Sequence, residues 1–220
     1  MASFFKLTLD TTAPAGLTLK LNNGAVYATS TAVTATIGLT DSDTTGYQMK
    51  IWGVAGAATE SEAAWATFAK SKAITLASGD GQKTVSIKVR DDVGNETATV
   101  TAKITLDTAV PVVTITGPDK SRISKVATFN VSAFSFSANA DFEEYKIKVV
   151  PSESSLENAG TQIPVTAGST NTSGTTGGYK KDTAINVTIN GADLETASSG
   201  DGVKIVKVFV KNAAGTWSVA

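Results

Sequence analysis

A chain of 220 residues with 19 lysines and arginines against 20 aspartates and glutamates is nearly neutral. With no block of like charge, it lacks the electrostatic footprint of a nucleic-acid or anionic-membrane binder. The absence of cysteine and histidine excludes disulfides and thiolate metal sites, and removes the commonest general base and zinc ligand.

No run approaches the roughly 20 apolar residues of a membrane-spanning helix. The sequence holds no GxSxG, GK[ST] or GxGxxG motif, and no pair of acids stands out in an apolar context. A protein that is not an enzyme and binds no cofactor or metal is therefore expected. No basic segment followed by an apolar run and a small-residue cleavage site opens the chain, so if Met1 is the natural start nothing directs secretion.

In chain order, Ser3 to Asp10 comes first, with Phe5, Leu7 and Leu9 alternating against polar neighbours in the period of two that marks a strand. Phe4 and Phe5 are adjacent, so in an extended segment one ring faces each side. Val33, Ala35 and Ile37 form a second alternating run, and Tyr47, Met49 and Ile51 a third with Trp52 on its other face. Glu60 to Lys70, ESEAAWATFAK, carries helix formers and reads as a turn or two of helix in a connection. Val85, Ile87 and Val89 then alternate with Ser86, Lys88 and Arg90 and lead into a glycine turn at Asp91 to Asn95, the pattern of a hairpin.

From here the chain repeats itself. LTLDTTAP at Leu7 to Pro14 returns as ITLDTAVP at Ile104 to Pro111, an offset of 97. Tyr47 to Ile51 returns as Tyr145 to Val149 at an offset of 98, and Gly79 to Thr97 returns as Gly200 to Ser218 at an offset of 121. Val206, Val208 and Val210 again face one way, with Lys207, Phe209 and Lys211 opposite. Two copies of one unit are implied, with the extra residues of the second lying between Val150 and Gly200. The units expected are residues 1–107, with an N-terminal arm at 1–10, and residues 108–220, with an inserted Gly/Ser/Thr-rich loop near 159–179. Short, turn-bounded strands, about seven per unit, predict an all-β protein of two tandem immunoglobulin-like β-sandwich domains.

LTLDTTAP, YQMKIW, the Trp65 and Phe68 segment and SGDGQKTVSIKVRDDVGN resemble bacterial immunoglobulin-like (Big-type) repeats, which occur in surface proteins and in structural proteins of tailed bacteriophages. The likeness spans the first unit. In the second it covers the DTxxP segment, the tyrosine strand and the last hairpin, and lapses between Pro151 and Ser199. It implies a virion structural protein, a capsid decoration or head-fibre protein, made in the host cytoplasm and bound to a major capsid protein or another virion protein. An adhesin gripping a host-surface glycan, or a piece of a cell-surface protein, is the alternative.

Two candidate contact surfaces emerge. Thr166 to Gly178 is drawn only from Thr, Ala, Gly, Ser and Asn, and with Tyr179, Lys180 and Lys181 beside it reads either as a loop for a partner or glycan or as a tolerated surface insertion. The arm is the other. Its Phe4, Phe5, Leu7 and Leu9 belong to a segment matching Val100 to Asp107, the last strand of the first unit, whereas the second unit reaches Ala220 without a counterpart of that strand. Either the arm pairs at an edge of its own domain or it is donated to a neighbouring molecule, including a second copy by strand exchange. Asp41, Asp43, Asp91, Asp92, Asn95 and Glu96, with Asp10 and Asp107, read as solvated turn residues rather than calcium ligands. Trp52, Trp65 and Trp217 read as core aromatics, with sugar stacking as the other reading.

Overall fold

The computed structural model of the protein describes residues 5–125, 131–163 and 178–219. Residue contacts divide the chain into Met1–Thr108 and Ala109–Ala220. Each unit is an all-β, immunoglobulin-like sandwich.

In the first unit one sheet joins β1 (Thr18–Leu21), β3 (Ala32–Gly38) and β6 (Ser71–Thr75) in that order. The facing sheet runs β2 (Tyr27–Ala28), β8 (Val100–Leu106), β7 (Gly81–Arg90), β4 (Gln48–Trp52) and β5 (Ala66–Thr67). All pairs are antiparallel except β2 with β8. Period-two alternation turns Leu19, Leu21, Val33, Ala35, Ile37, Met49, Val85, Ile87 and Val89 into the space between the sheets, where Ile104 and Leu106 join them. Each large aliphatic chain buried this way contributes about 1.5–3 kcal/mol.

The segment Glu60 to Lys70 departs from the helix expected of its composition. It holds a single 3-10 turn, Glu60–Glu62, closed by a capping box in which the Glu62 carboxylate accepts from the amides of Ala58 (2.8 Å) and Thr59 (3.0 Å). The chain then joins the sheet: Ala66–Thr67 pairs with β4, and the Phe68 amide donates to the Tyr47 carbonyl. Sheet pairing and the burial of Ala63 override helix propensity.

In the second unit one sheet joins β13 (Ile185–Asn190), β10 (Val131–Ala138) and β9 (Val113–Thr116), and the other joins β12 (Thr161–Gln162), β11 (Glu144–Val150) and β14 (Ile205–Lys211). The core is aromatic where the first is aliphatic. Phe136 meets Tyr145 edge-on at 5.1 Å, and Phe142 stacks on Tyr179 at 4.9 Å, over Ile147, Val187, Val208 and Val210. A short helix, α1 (Gly191–Ala197), follows β13 directly, its first turn capped by the Asn190 side chain accepting from the Asp193 amide.

The last turns of the two units are built alike. The Thr97 amide donates to the Val89 carbonyl while the Thr97 hydroxyl accepts from the Val89 amide; Ser218 does both for Val210. Phe209 departs from the strand phase: although it lies on the face opposite Val208, it is fully buried. Lys207 lies over its ring, and that ammonium donates to the carbonyls of Glu153 and Ser155 while Lys148 donates to that of Glu157. The segment after β11 is thereby tied across the outer face of this sheet. The expected loop near 159–179 is also ordered at its start, since β12 pairs with β11 and Ile163 is buried; residues 164–177 lie outside the described residues.

Candidate functional site

The arm leaves the first sandwich ahead of Asp10, whose carbonyl accepts from the Asn95 side chain at 3.3 Å. Phe5, Leu7 and Leu9 are each 87% exposed and belong to no strand, and Phe4 lies outside the described residues. Their matches in β8 are Ala102, Ile104 and Leu106, of which the last two are 1% exposed. A segment with the pattern of a core strand thus has no core around it.

The second unit shows the converse. Among the described residues β2 and β8 have no counterpart there, so β14 ends its sheet. Past Val210 that edge is closed by the turn to Trp217 and Ser218, but from Gly202 to Val208 no strand lies beside it among the described residues. A groove of about 710 Å³ opens there between the sheets, lined by Ile115, Phe134, Ile189, Leu194, Val203 and Val206. Ile115 pairs with Phe136 as Leu19 pairs with Ile37, yet Ile115 is 44% exposed and Leu19 8%. Val203 is 96% exposed. Lys120, Arg122, Asp201 and Lys204 line the same groove. Sequence reasoning noted the absent strand but missed these residues; the signal was Val203, an aliphatic residue where the first unit carries Gln82.

The other candidate contacts lie elsewhere. Tyr179 is half-buried, stacked on Phe142 and bridged to it through the backbone. The Lys180 ammonium donates to Asp141 at 2.7 Å and the Lys181 amide to the same carboxylate at 2.9 Å. The Lys180 hydrogen bond, first, and the Lys181 amide hold the Asp141 carboxyl below the usual range. Among the described residues no three acidic side chains gather as metal ligands. Asp91 is buried, and its oxygens accept from the Val93 amide (3.0 Å), the Asn95 amide (2.8 Å) and the Asn95 side chain (2.8 Å). Asp41 accepts from the Tyr47 hydroxyl at 3.2 Å.

The tryptophans correct the core reading, since all three are only half-buried. Lys50 and Arg90 lie over the Trp65 ring at 5.0 and 4.3 Å, and Lys146 and Lys211 over the Trp217 ring at 4.3 and 5.2 Å. Strand phase explains this. Met49 and Ile51 point inward from β4, so the intervening Lys50 faces outward, and a ring beside it meets cations rather than the core.

No family model matches the chain, and no curated protein matches it. Among solved structures, the chain is similar to the fibronectin(III)-like modules of Clostridium thermocellum CbhA, at 9% identity over 92% of this chain and 90% of that one, with a TM-score of 0.46. It is also similar to latent PorU from Porphyromonas gingivalis, at 14% identity and a TM-score of 0.29, covering 97% of this chain and 20% of that one. A third similar structure is the chitinase ChiA74 from Bacillus thuringiensis, at 14% identity and a TM-score of 0.31, covering 92% of this chain and 30% of that one.

Proposed function

We propose that this chain is a non-catalytic attachment and display protein, and specifically a virion structural protein of a tailed bacteriophage, a capsid decoration or head-fibre protein. The observation that carries the reading is the arm, whose Phe5, Leu7 and Leu9 are exposed in a pattern that elsewhere in the same chain fills a core. Exposed apolar residues alternating along an extended segment are what strand addition to a partner's sheet edge uses: main-chain pairing supplies affinity and the side chains supply pocket contacts. The virion assignment rests on the resemblance of the repeated motifs to phage structural repeats. Antibody against the purified chain should label virions, and a chain carrying Leu7→Asp and Leu9→Asp should fail to decorate particles stripped of it. Normal decoration by that variant overturns the attachment role of the arm.

A second reading, binding of a host-surface glycan, is favoured by the half-exposed Trp65 and Trp217. Saccharides stack on such rings, so titration with oligosaccharides should then change the tryptophan fluorescence, and Trp65→Ala or Trp217→Ala should remove part of the response.

A further inference from the structure

We infer that the groove of the second unit is a strand-acceptor site, and that its ligand is the N-terminal arm of a second copy of this chain. The inference deepens the attachment reading of the arm by naming its receptor, and does not depend on the assembly being a virion. The first unit shows what a filled site looks like. There β8 lies along β7 with Ala102 opposite Val85, Ile104 opposite Lys83 and Leu106 opposite Gly81, and closes the core. At an offset of 121 those β7 positions are Val206, Lys204 and Gly202, which line the groove along the edge that no strand covers among the described residues. At an offset of 97 the β8 positions are Phe5, Leu7 and Leu9.

The receiving turn is preformed. Gly79 and Gly81 have φ of 82° and 116°, and Gly200 and Gly202 have φ of 83° and 130°, so the two turns share their left-handed glycines, although the strand begins at Gly81 in the first unit and only at Ile205 in the second. The anchor at the end of the strand is also present. In the first unit Asp80 accepts from both the amide and the hydroxyl of Thr108, at 2.9 and 2.8 Å. Asp201 stands at the position of Asp80, and Thr11, the residue after the arm's Asp10, at that of Thr108. Donor and acceptor surfaces lie on different parts of the chain, so the contact is heterologous, and successive copies join head to tail into rings or filaments.

Sedimentation velocity of the full chain across a concentration series should show reversible growth beyond the monomer. Leu7→Lys with Leu9→Lys, at exposed positions that leave the fold intact, should weaken association at least about tenfold, because the added ammonium groups would be set against Lys120, Arg122 and Lys204 in the groove. Asp201→Ala should weaken it too, by loss of the Thr11 contacts. Since the chain has no cysteine, register can be read directly. Thr8→Cys on one copy and Val203→Cys on another, the pair matching Thr105 and Gln82, should form a mixed disulfide, while Thr8→Cys with Lys72→Cys should not. A monomer at every concentration overturns the inference, as does association that survives the arm variant or cross-links without regard to register. Self-association without particle decoration would leave the acceptor site standing and remove the virion reading.

Discussion

Asp91 and Asn212 occupy the same place in the two last turns and do the same work with different chemistry. The Asn212 side-chain oxygen accepts from the Thr216 amide at 2.8 Å, as Asp91 accepts from that of Asn95. Burial pushes the Asp91 carboxyl up, but hydrogen bonds from the Asn95 side chain and from the amides of Asn95, Gly94 and Val93 outweigh it and hold the carboxyl below its ordinary value. A native pKa below the unfolded one, about 3.9, gives stability that is present above that value and lost as pH falls through the native pKa. The first unit should therefore weaken on acidification below about pH 4. Asp91→Asn should keep the fold, as Asn212 does, and flatten part of that pH dependence; an unchanged acid profile in thermal unfolding would remove Asp91 from the explanation. Asp91→Ala leaves buried amides without an acceptor and should cost about 2 kcal/mol.

At the level of elements, the strands were legible because one face is buried and the other wet. Val33, Ala35 and Ile37 announced β3, and Val85, Ile87 and Val89 announced β7, by alternation alone. Where a second partner intrudes, alternation misleads. Phe209 reads as an outward residue and is buried because the Pro151–Gly160 segment crosses its face, and nothing local to β14 encodes that crossing. Helix formers in Glu60–Lys70 lost to β4, which offers sheet partners from far along the chain. Conversely, α1 was written in Asn190 as a cap before GADLETA, a helix of seven residues and easily passed over. Asn190→Ala should cost the second unit about 1 kcal/mol. Of the site, the donor strand was legible through the repeat, whereas the acceptor groove was not, because it is assembled from β9, β10, β13, α1 and the 118–123 and 201–206 segments. The strand phase that was legible gives a harsher test: Val85→Asp or Ile87→Asp places an unpaired carboxylate at a fully buried position and should cost several kcal/mol, about enough to unfold the first unit. Retention of its cooperative transition would contradict the assigned phase.

For the whole molecule, duplication has produced two sandwiches that are closed to different degrees. The first keeps Ile104 and Leu106 in its core through β8, whereas the second presents Ile115 to solvent where the equivalent Leu19 is buried. Each aliphatic side chain that remains wet forgoes about 1.5–3 kcal/mol of burial, a large share of the net stability of a domain this size. Sheet order adds to the difference, with five strands beside the first core against three in the matching sheet of the second among the described residues. The two units should therefore melt separately, and the second should melt first. Urea denaturation of the full chain at a concentration low enough to keep it monomeric should give two transitions, the later coinciding with that of residues 1–108 expressed alone. The earlier should move to higher urea when a peptide of the arm sequence, Phe5 to Thr11, is added in excess, since a ligand of the native state alone stabilises it by mass action. A single transition, or an earlier one that belongs to residues 1–108, would mean that the second core is closed as well as the first.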